Sequence, residues 1–207
     1  MASPSNHESK SIKAYRDFTR TPRWVFEAFN SMYQYDLDAA ALECSALLPN
    51  YYTPKQDSLS RDWSSENEPK GKFLSVWLNP PFSNIYPWVE KVLEQQEKGV
   101  LTTLFVPHEN RAKWWPAGLP CKIIDIVGYY KDLGVYKSGV KKGAPKKRWC
   151  SGGIKFVDAR TGLENKHELN KPMSLIEFHP NHIGKPTTFG YIQKNVLMAM
   201  AQQSTES

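Results

Sequence analysis

Four consecutive residues, Asn79-Pro80-Pro81-Phe82, offer two oxygen acceptors and a flat ring at one point of the chain. Asn79 supplies a carboxamide oxygen, Pro80 a carbonyl whose own residue has no N–H, and Pro81 confines Pro80 to extended conformations. Phe82 adds the aromatic face. Such a set suits an exocyclic amino group on a ring such as adenine, a poor nucleophile because its lone pair is delocalised. Accepting one hydrogen at Asn79 and the other at the Pro80 carbonyl favours a pyramidal nitrogen, whose lone pair can attack an electrophilic carbon. Phe82 would hold the ring by stacking, as expected where a target base is extruded from a duplex. Chemistry of this kind rests on placement and electrostatics and needs no covalent intermediate.

The motif belongs at a strand end. Residues 73–78 form an apolar run of strand length, stopped by Pro80 and Pro81, since proline cannot donate to a ladder. From Tyr86 onward Trp88, Val89, Val92 and Leu93 recur at helical spacing until Gly99, and residues 100–106 read as the next strand. That connection suits a parallel right-handed crossover. Upstream, Thr21 is placed to cap a helix with Pro22 in its first turn and Val25, Phe26 and Phe29 on its apolar face. A short strand over 33–37 then leads into Asp38-Ala39-Ala40-Ala41, and 44–63 reads as loops with at most one helical turn. Downstream the pattern predicts a short helix over 111–115 and strands over 122–129, 153–157 and 174–178. The predicted fold is α/β, a mostly parallel sheet with an antiparallel C-terminal end. Ligands of open α/β sheets sit beyond the carboxyl ends of strands, here Asp38-Ala39-Ala40, Asn79 to Phe82 and Pro107-His108-Glu109-Asn110.

Composition narrows the classes. The 207 residues are 40% hydrophobic and 23% charged, values of an ordinary globular chain, and mean hydropathy is −0.56. No apolar run approaches the roughly 18 residues of a membrane span. Cys44, Cys121 and Cys150 form no CxxC pair, which argues against a disulfide framework or zinc ribbon and for a reducing cytosol. The polar start, MASPSNHESKSIK, lacks a secretory apolar region and reads as a flexible tail over 1–16. His179-Pro180-Asn181-His182 reads as a surface turn, so no metal is expected, and Trp114 and Trp115 read as packing groups. The net charge of +6 is concentrated: Lys131, Lys137, Lys141, Lys142, Lys146, Lys147 and Arg148 face only Asp132 within 131–148, leaving the remainder neutral. Tyr136 and Trp149 among them point to a surface that contacts phosphates.

Several segments in one order resemble the phage-type DNA N6-adenine methyltransferases of the Dam family, amino-group methyltransferases with a (D/N)PP(Y/F) motif. They are Thr21-Pro22 ahead of Trp24 and Phe26, Tyr35-Asp36-Leu37-Asp38-Ala39-Ala40-Ala41, Tyr51-Tyr52-Thr53, Asp57-Ser58-Leu59, Asp62-Trp63, Leu78 to Ser83, and Pro87-Trp88. The likeness covers residues 17 to 179. It implies a Rossmann-like class I methyltransferase sheet, S-adenosylmethionine as donor, and direct transfer to adenine N6 in double-stranded DNA. The methyltransferase domain would run over 17–188 with a basic insertion at 131–148, followed by a tail over 189–207 with helical Ile192, Val196 and Met200 spacing.

The resemblance also implies roles. Thr21, Pro22, Asp38, Ala39 and Ala40 stand where the family meets the methionine part of the cofactor, with Asp38 accepting from its ammonium group. Asp57 stands where the cofactor's adenine amino group is received, with Leu59 beside the ring; Asp36 is the nearest carboxylate for the ribose. Asn79 borders both cofactor and target, and Asn79, Pro80, Pro81 and Phe82 form the catalytic motif. Lys137, Lys141, Lys142, Lys146, Lys147 and Arg148 would contact DNA, in the cytoplasm of a bacterial host if the chain is phage-encoded. Two departures stand out. Ala39-Ala40-Ala41 replaces a glycine-rich loop, and the eighteen residues between Asp38 and Asp57 are too few for a helix, strand and helix. The same chemistry would also serve an RNA adenine or a protein glutamine amide, and a non-catalytic nucleic-acid-binding protein on this scaffold is a third reading.

Overall fold

Val76 and Leu78 pack on one side of their strand and Trp77 on the other, and the same alternation in neighbouring strands places apolar cores on both faces of one sheet. The computed structural model describes residues 19–65, 73–158 and 160–206, so the tail expected over 1–16 lies outside the described residues. In chain order the elements are β1 (Thr19–Arg20), α1 (Arg23–Tyr33), β2 (Leu37–Asp38), β3 (Ser75–Leu78), α2 (Tyr86–Glu97), β4 (Leu101–Pro107), β5 (Lys122–Val127), β6 (Tyr129–Val135), β7 (Pro145–Cys150), β8 (Val157–Asp158), β9 (Met173–Phe178), β10 (Thr188–Gln193) and α3 (Lys194–Glu206). Among the described residues no helix is long and apolar enough to cross a membrane.

The main sheet has the order β10-β5-β9-β4-β3-β2. Pairing is parallel except at β9, which runs antiparallel to both β4 and β5. Val89 and Val92 of α2 cover one face; Val25, Phe26 and Phe29 of α1 and Leu197 and Ala201 of α3 cover the other. The protein is thus a mixed α/β fold with a mostly parallel sheet, but the antiparallel strand lies inside the sheet and not at its end. The segment expected as a tail from 189 is also different: β10 pairs with β5 from Thr188 opposite Lys122 to Gln193 opposite Val127, and α3 packs behind it. Helical spacing in α3 is a local signal, whereas the pairing of β10 is made with a strand some sixty residues earlier.

Other boundaries shift for local reasons. The helix expected to begin at Thr21 and Pro22 starts at Arg23, with Pro22 at the cap and its carbonyl accepting from Val25 N–H. It runs through Tyr33 and ends at Gln34, whose left-handed backbone, φ 50°, lets its N–H reach the Asn30 carbonyl. Of the expected 33–37 strand only Leu37 is in strand, which then takes in Asp38. Residues 111–115 form turns and not a helix, and 153–156 are irregular although Ile154 and Phe156 are buried. The strand expected over 122–129 breaks at Gly128, where a Cβ would lie 2.4 Å from the Trp149 ring. Beyond it β6 and β7 form a separate antiparallel ribbon, with Lys131 opposite Arg148 and Asp132 opposite Lys147. The basic segment is therefore a β-ribbon with its lysines exposed.

Candidate active site

The carboxyl ends of β2 and β3 open into a cavity of about 310 Å³. Its wall brings together Thr21, Asp38, Ala39, Ala40, Asp57, Leu59, Asn79, Pro80, Pro81 and Phe82, residues that span some sixty positions of sequence. Pro22 is next to the wall without lining it. Asp36 stands elsewhere: its Oδ2 accepts from Ser75 N–H at 2.9 Å and its own N–H donates to the Ser75 carbonyl, which ties it to the amino end of β3. The ribose contact expected of Asp36 is therefore not made from this cavity wall. Arg20, Tyr52, Thr53, Ser58 and Trp88 also line it. Sequence gave none of these five a role in the site, because each stands beside or within a motif and only folding turns it inward.

The short span between Asp38 and Asp57 is accommodated without a further helix or main-sheet strand. Asp38 N–H donates to Asn50 O and Tyr52 N–H to Asp38 O, both at 3.0 Å, so residues 50–52 run alongside β2 as an isolated parallel bridge. Thr53 and Gln56 then form a reciprocal capping box around a 3-10 turn. Asp57 ends that turn at φ 48°, a conformation Asp tolerates better than most side chains, and this carries Ser58 and Leu59 back to the cavity. Ala39 N–H is used by Trp77 O and Ala41 N–H by Tyr52 O, so the alanine segment is pinned to the strands on either side.

Asp38 is the buried carboxylate of the site, 3% exposed. Its Oδ2 accepts from Leu47 N–H at 3.1 Å and its Oδ1 from Ala40 N–H at a long 3.5 Å. Burial pushes its pKa up to about 6, against the lowering effect of those two donors and of Arg20. The folded state therefore binds this proton more tightly than the unfolded chain, where Asp titrates near ~3.9. Ionising Asp38 as pH rises through this range costs roughly 2–3 kcal/mol of stability, a loss complete above about pH 6. Asp38→Asn does not titrate there, so wild type should lose that amount relative to the variant between about pH 4 and pH 7 in urea melts. Parallel pH profiles for the two proteins would show that the carboxylate is not buried as described.

Asn79 Oδ1 and Thr21 Oγ1 are buried in this wall, and neither has a hydrogen-bond partner among the described residues. A buried polar atom left unpaired costs about 1–3 kcal/mol, and these two belong to residues that line the cavity, where a ligand group could pair them. Phe82 is half-buried, and Phe156 meets it edge to face at 5.9 Å and 87°. Phe156 in turn stacks on Phe105 at 6.1 Å, and Phe105 on Trp77 at 5.6 Å. This aromatic series fixes the Phe82 ring from the core outward. Phe156→Ala should cost about 3–5 kcal/mol of stability and loosen Phe82, so activity should fall at temperatures where the variant is still folded. A denaturant midpoint within error of wild type would refute this support.

A second, open cleft of about 650 Å³ lies past the end of β4 and the base of the ribbon. In it His108 Nδ1 lies 2.8 Å from Asp125 Oδ1, which also accepts from the Ser174 hydroxyl at 2.6 Å. Lys137, Lys141, Lys142, Lys146, Lys147 and Arg148 are all exposed on or around the ribbon, with Lys141 and Lys146 over the Tyr136 ring. His179 to His182 forms a turn in which His179 Nδ1 accepts from Asn181 N–H at 3.0 Å. Trp115 packs in the core and Trp114 against it.

Comparison with known proteins matches the chain to a family. The family model described as DNA N-6-adenine-methyltransferase (Dam) matches residues 8–204. A protein of Haemophilus phage HP1 named DNA N-6-adenine-methyltransferase is 29% identical over 178 residues, 84% of each chain. A protein of the same name from Escherichia phage T1 is 36% identical over 150 residues, 72% of this chain and 57% of that one. With the match spanning nearly the whole chain, the chain belongs to the DNA N-6-adenine-methyltransferase family.

Proposed function

We propose that this chain methylates the N6 amino group of adenine in double-stranded DNA, with S-adenosylmethionine as donor and the target base turned out of the duplex. The observation that carries the reading is the orphaned Asn79 oxygen, buried in the wall of a cavity at the carboxyl edge of the sheet. The cavity's donor set fits the cofactor. Asp38 would accept from its ammonium group, Thr21 Oγ1 and the amino end of α1 suit its carboxylate, and Asp57 with Leu59 would receive its adenine. When bound, the cofactor supplies a methyl carbon made electrophilic by a sulfonium. We read the sheet, with every strand but β9 parallel and its ligand-facing groups at one edge, as the Rossmann-like class I arrangement.

Asn79 Oδ1 and the Pro80 carbonyl accept the two hydrogens of the target amine, which localises its lone pair for attack. Phe82, held by Phe156, stacks on the base. The proton released on transfer leaves to solvent. The exposed ribbon would lie along the duplex backbone, and on this reading the protein works in the cytoplasm, that of a bacterial host if the chain is phage-encoded. Incubating purified protein with labelled S-adenosylmethionine and duplex DNA, then digesting to nucleosides, should give labelled N6-methyladenine. Label found only in RNA or in protein glutamine, or none at all, would overturn the reading.

A further inference from the structure

Arg20 is the cation of the cavity wall among the described residues, and no motif explains it. It ends β1, where it pairs with Val157 of β8, and the side chain lines the same cavity as Asp38. Among the described residues it forms no salt bridge; its hydrogen-bond partner is the Cys44 sulfur, 3.8 Å from Nη2. A thiol is a weak acceptor for a guanidinium that offers five donors in a planar fork. Burial lowers the Arg20 pKa, opposed by Cys44 and Asp38, so the group is partly stripped of water without a carboxylate to replace it. Asp38 lies on the same wall, near enough to raise the Arg20 pKa, yet the two do not pair, because Asp38 is engaged by Leu47 and Ala40 N–H groups. A cation and an anion that face one cavity without closing on each other fit a ligand with both opposite charges on a single carbon. The next residue, Thr21, adds an unpartnered buried hydroxyl.

We propose that Arg20 receives the α-carboxylate of the cofactor's amino-acid end, so that Arg20 and Asp38 grip the zwitterion from its two sides, with Thr21 Oγ1 as an additional donor. This rests on the cofactor assignment above. It makes the carboxylate a determinant of affinity. It also gives β1 a role in the site, since pairing with β8 holds the Arg20 backbone at the cavity mouth.

The test is binding, not turnover. Calorimetry would compare S-adenosylhomocysteine with its analogue lacking the carboxylate, 5′-S-(3-aminopropyl)-5′-thioadenosine, on wild type, Arg20→Gln and Arg20→Lys. Wild type should prefer the carboxylate-bearing ligand by about 10- to 100-fold, the range of a charge-assisted hydrogen bond. Arg20→Gln should remove most of that preference, leaving only the part that Thr21 Oγ1 and the amino end of α1 supply, while binding the analogue as wild type does, and Arg20→Lys should keep more of it than Arg20→Gln. A preference undiminished in Arg20→Gln, whether both ligands bind as before or both weaken alike, would overturn the role of Arg20 while leaving the cofactor assignment intact. A wild type that binds neither ligand would overturn the cofactor assignment and the grip with it. Because both ligands are measured on each variant, a general loss of folded protein lowers both together and cannot imitate a selective change.

Discussion

Replacing Asn79 with alanine should reduce methyl transfer to adenine by at least about 10²–10³-fold while leaving the protein folded and still able to bind cofactor. The loss is large because Asn79 acts on the reacting nitrogen itself. Without its oxygen one hydrogen of the amine has no acceptor, and the lone pair stays in the ring. The fold should tolerate the change for the opposite reason: Asn79 Oδ1 has no hydrogen-bond partner among the described residues, so that atom leaves no broken bond behind. Removing an unsatisfied buried acceptor is neutral or slightly stabilising. Initial rates of N6-methyladenine formation, set beside thermal melting and cofactor binding of the same preparation, separate the two effects. Wild-type turnover in the variant would end the proposed mechanism.

The second large effect lies on the ribbon. Changing Lys141, Lys142, Lys146 and Lys147 together to alanine should weaken DNA binding on every sequence tested. Its salt dependence should flatten by up to about 0.9 in log–log slope for each phosphate no longer neutralised, roughly 3–4 in total on duplex DNA. These side chains are exposed, and in β7 only Cys150 is even partly buried, so the melting temperature and the cofactor affinity should stay where they are. The basic excess of the chain sits here, which is why so few substitutions can have so large an effect. Binding titrations across a series of salt concentrations give the slope. If it is unchanged, the phosphates are met by another surface, and the cleft lined by His108 and Lys171 at the base of the ribbon is the place to look.

Local chemistry and local period were legible from the chain alone. Residues 75–78, 86–97 and 101–107 form the strand, helix and strand expected, because each carries its own hydrophobic repeat and a proline or glycine boundary. The motif after β3 was legible because two prolines both end a strand and expose a carbonyl. The basic cluster could be read as a charge, but not as a ribbon: β6 carries no clear alternation of buried and exposed residues, being exposed almost throughout.

The illegible part is non-local. That β9 enters between β4 and β5, and that β10 closes the sheet from the far end of the chain, depends on which strand edges remain free after earlier pairings. Phe156 supports Phe82 across seventy-four positions, and Arg20 shares a cavity with Asp38 where β1 is held by β8. Asp36 shows the converse case. Two residues before Asp38, it has the same side-chain type, yet Ser75 binds it at the amino end of β3 while Asp38 reaches the cavity. Residue identity and spacing thus carry which groups could activate an amine and where the positive charge lies. Which carboxylate, cation and ring come to share one cavity was settled by folding, because burial and approach are properties of packed strands and no window of residues contains them.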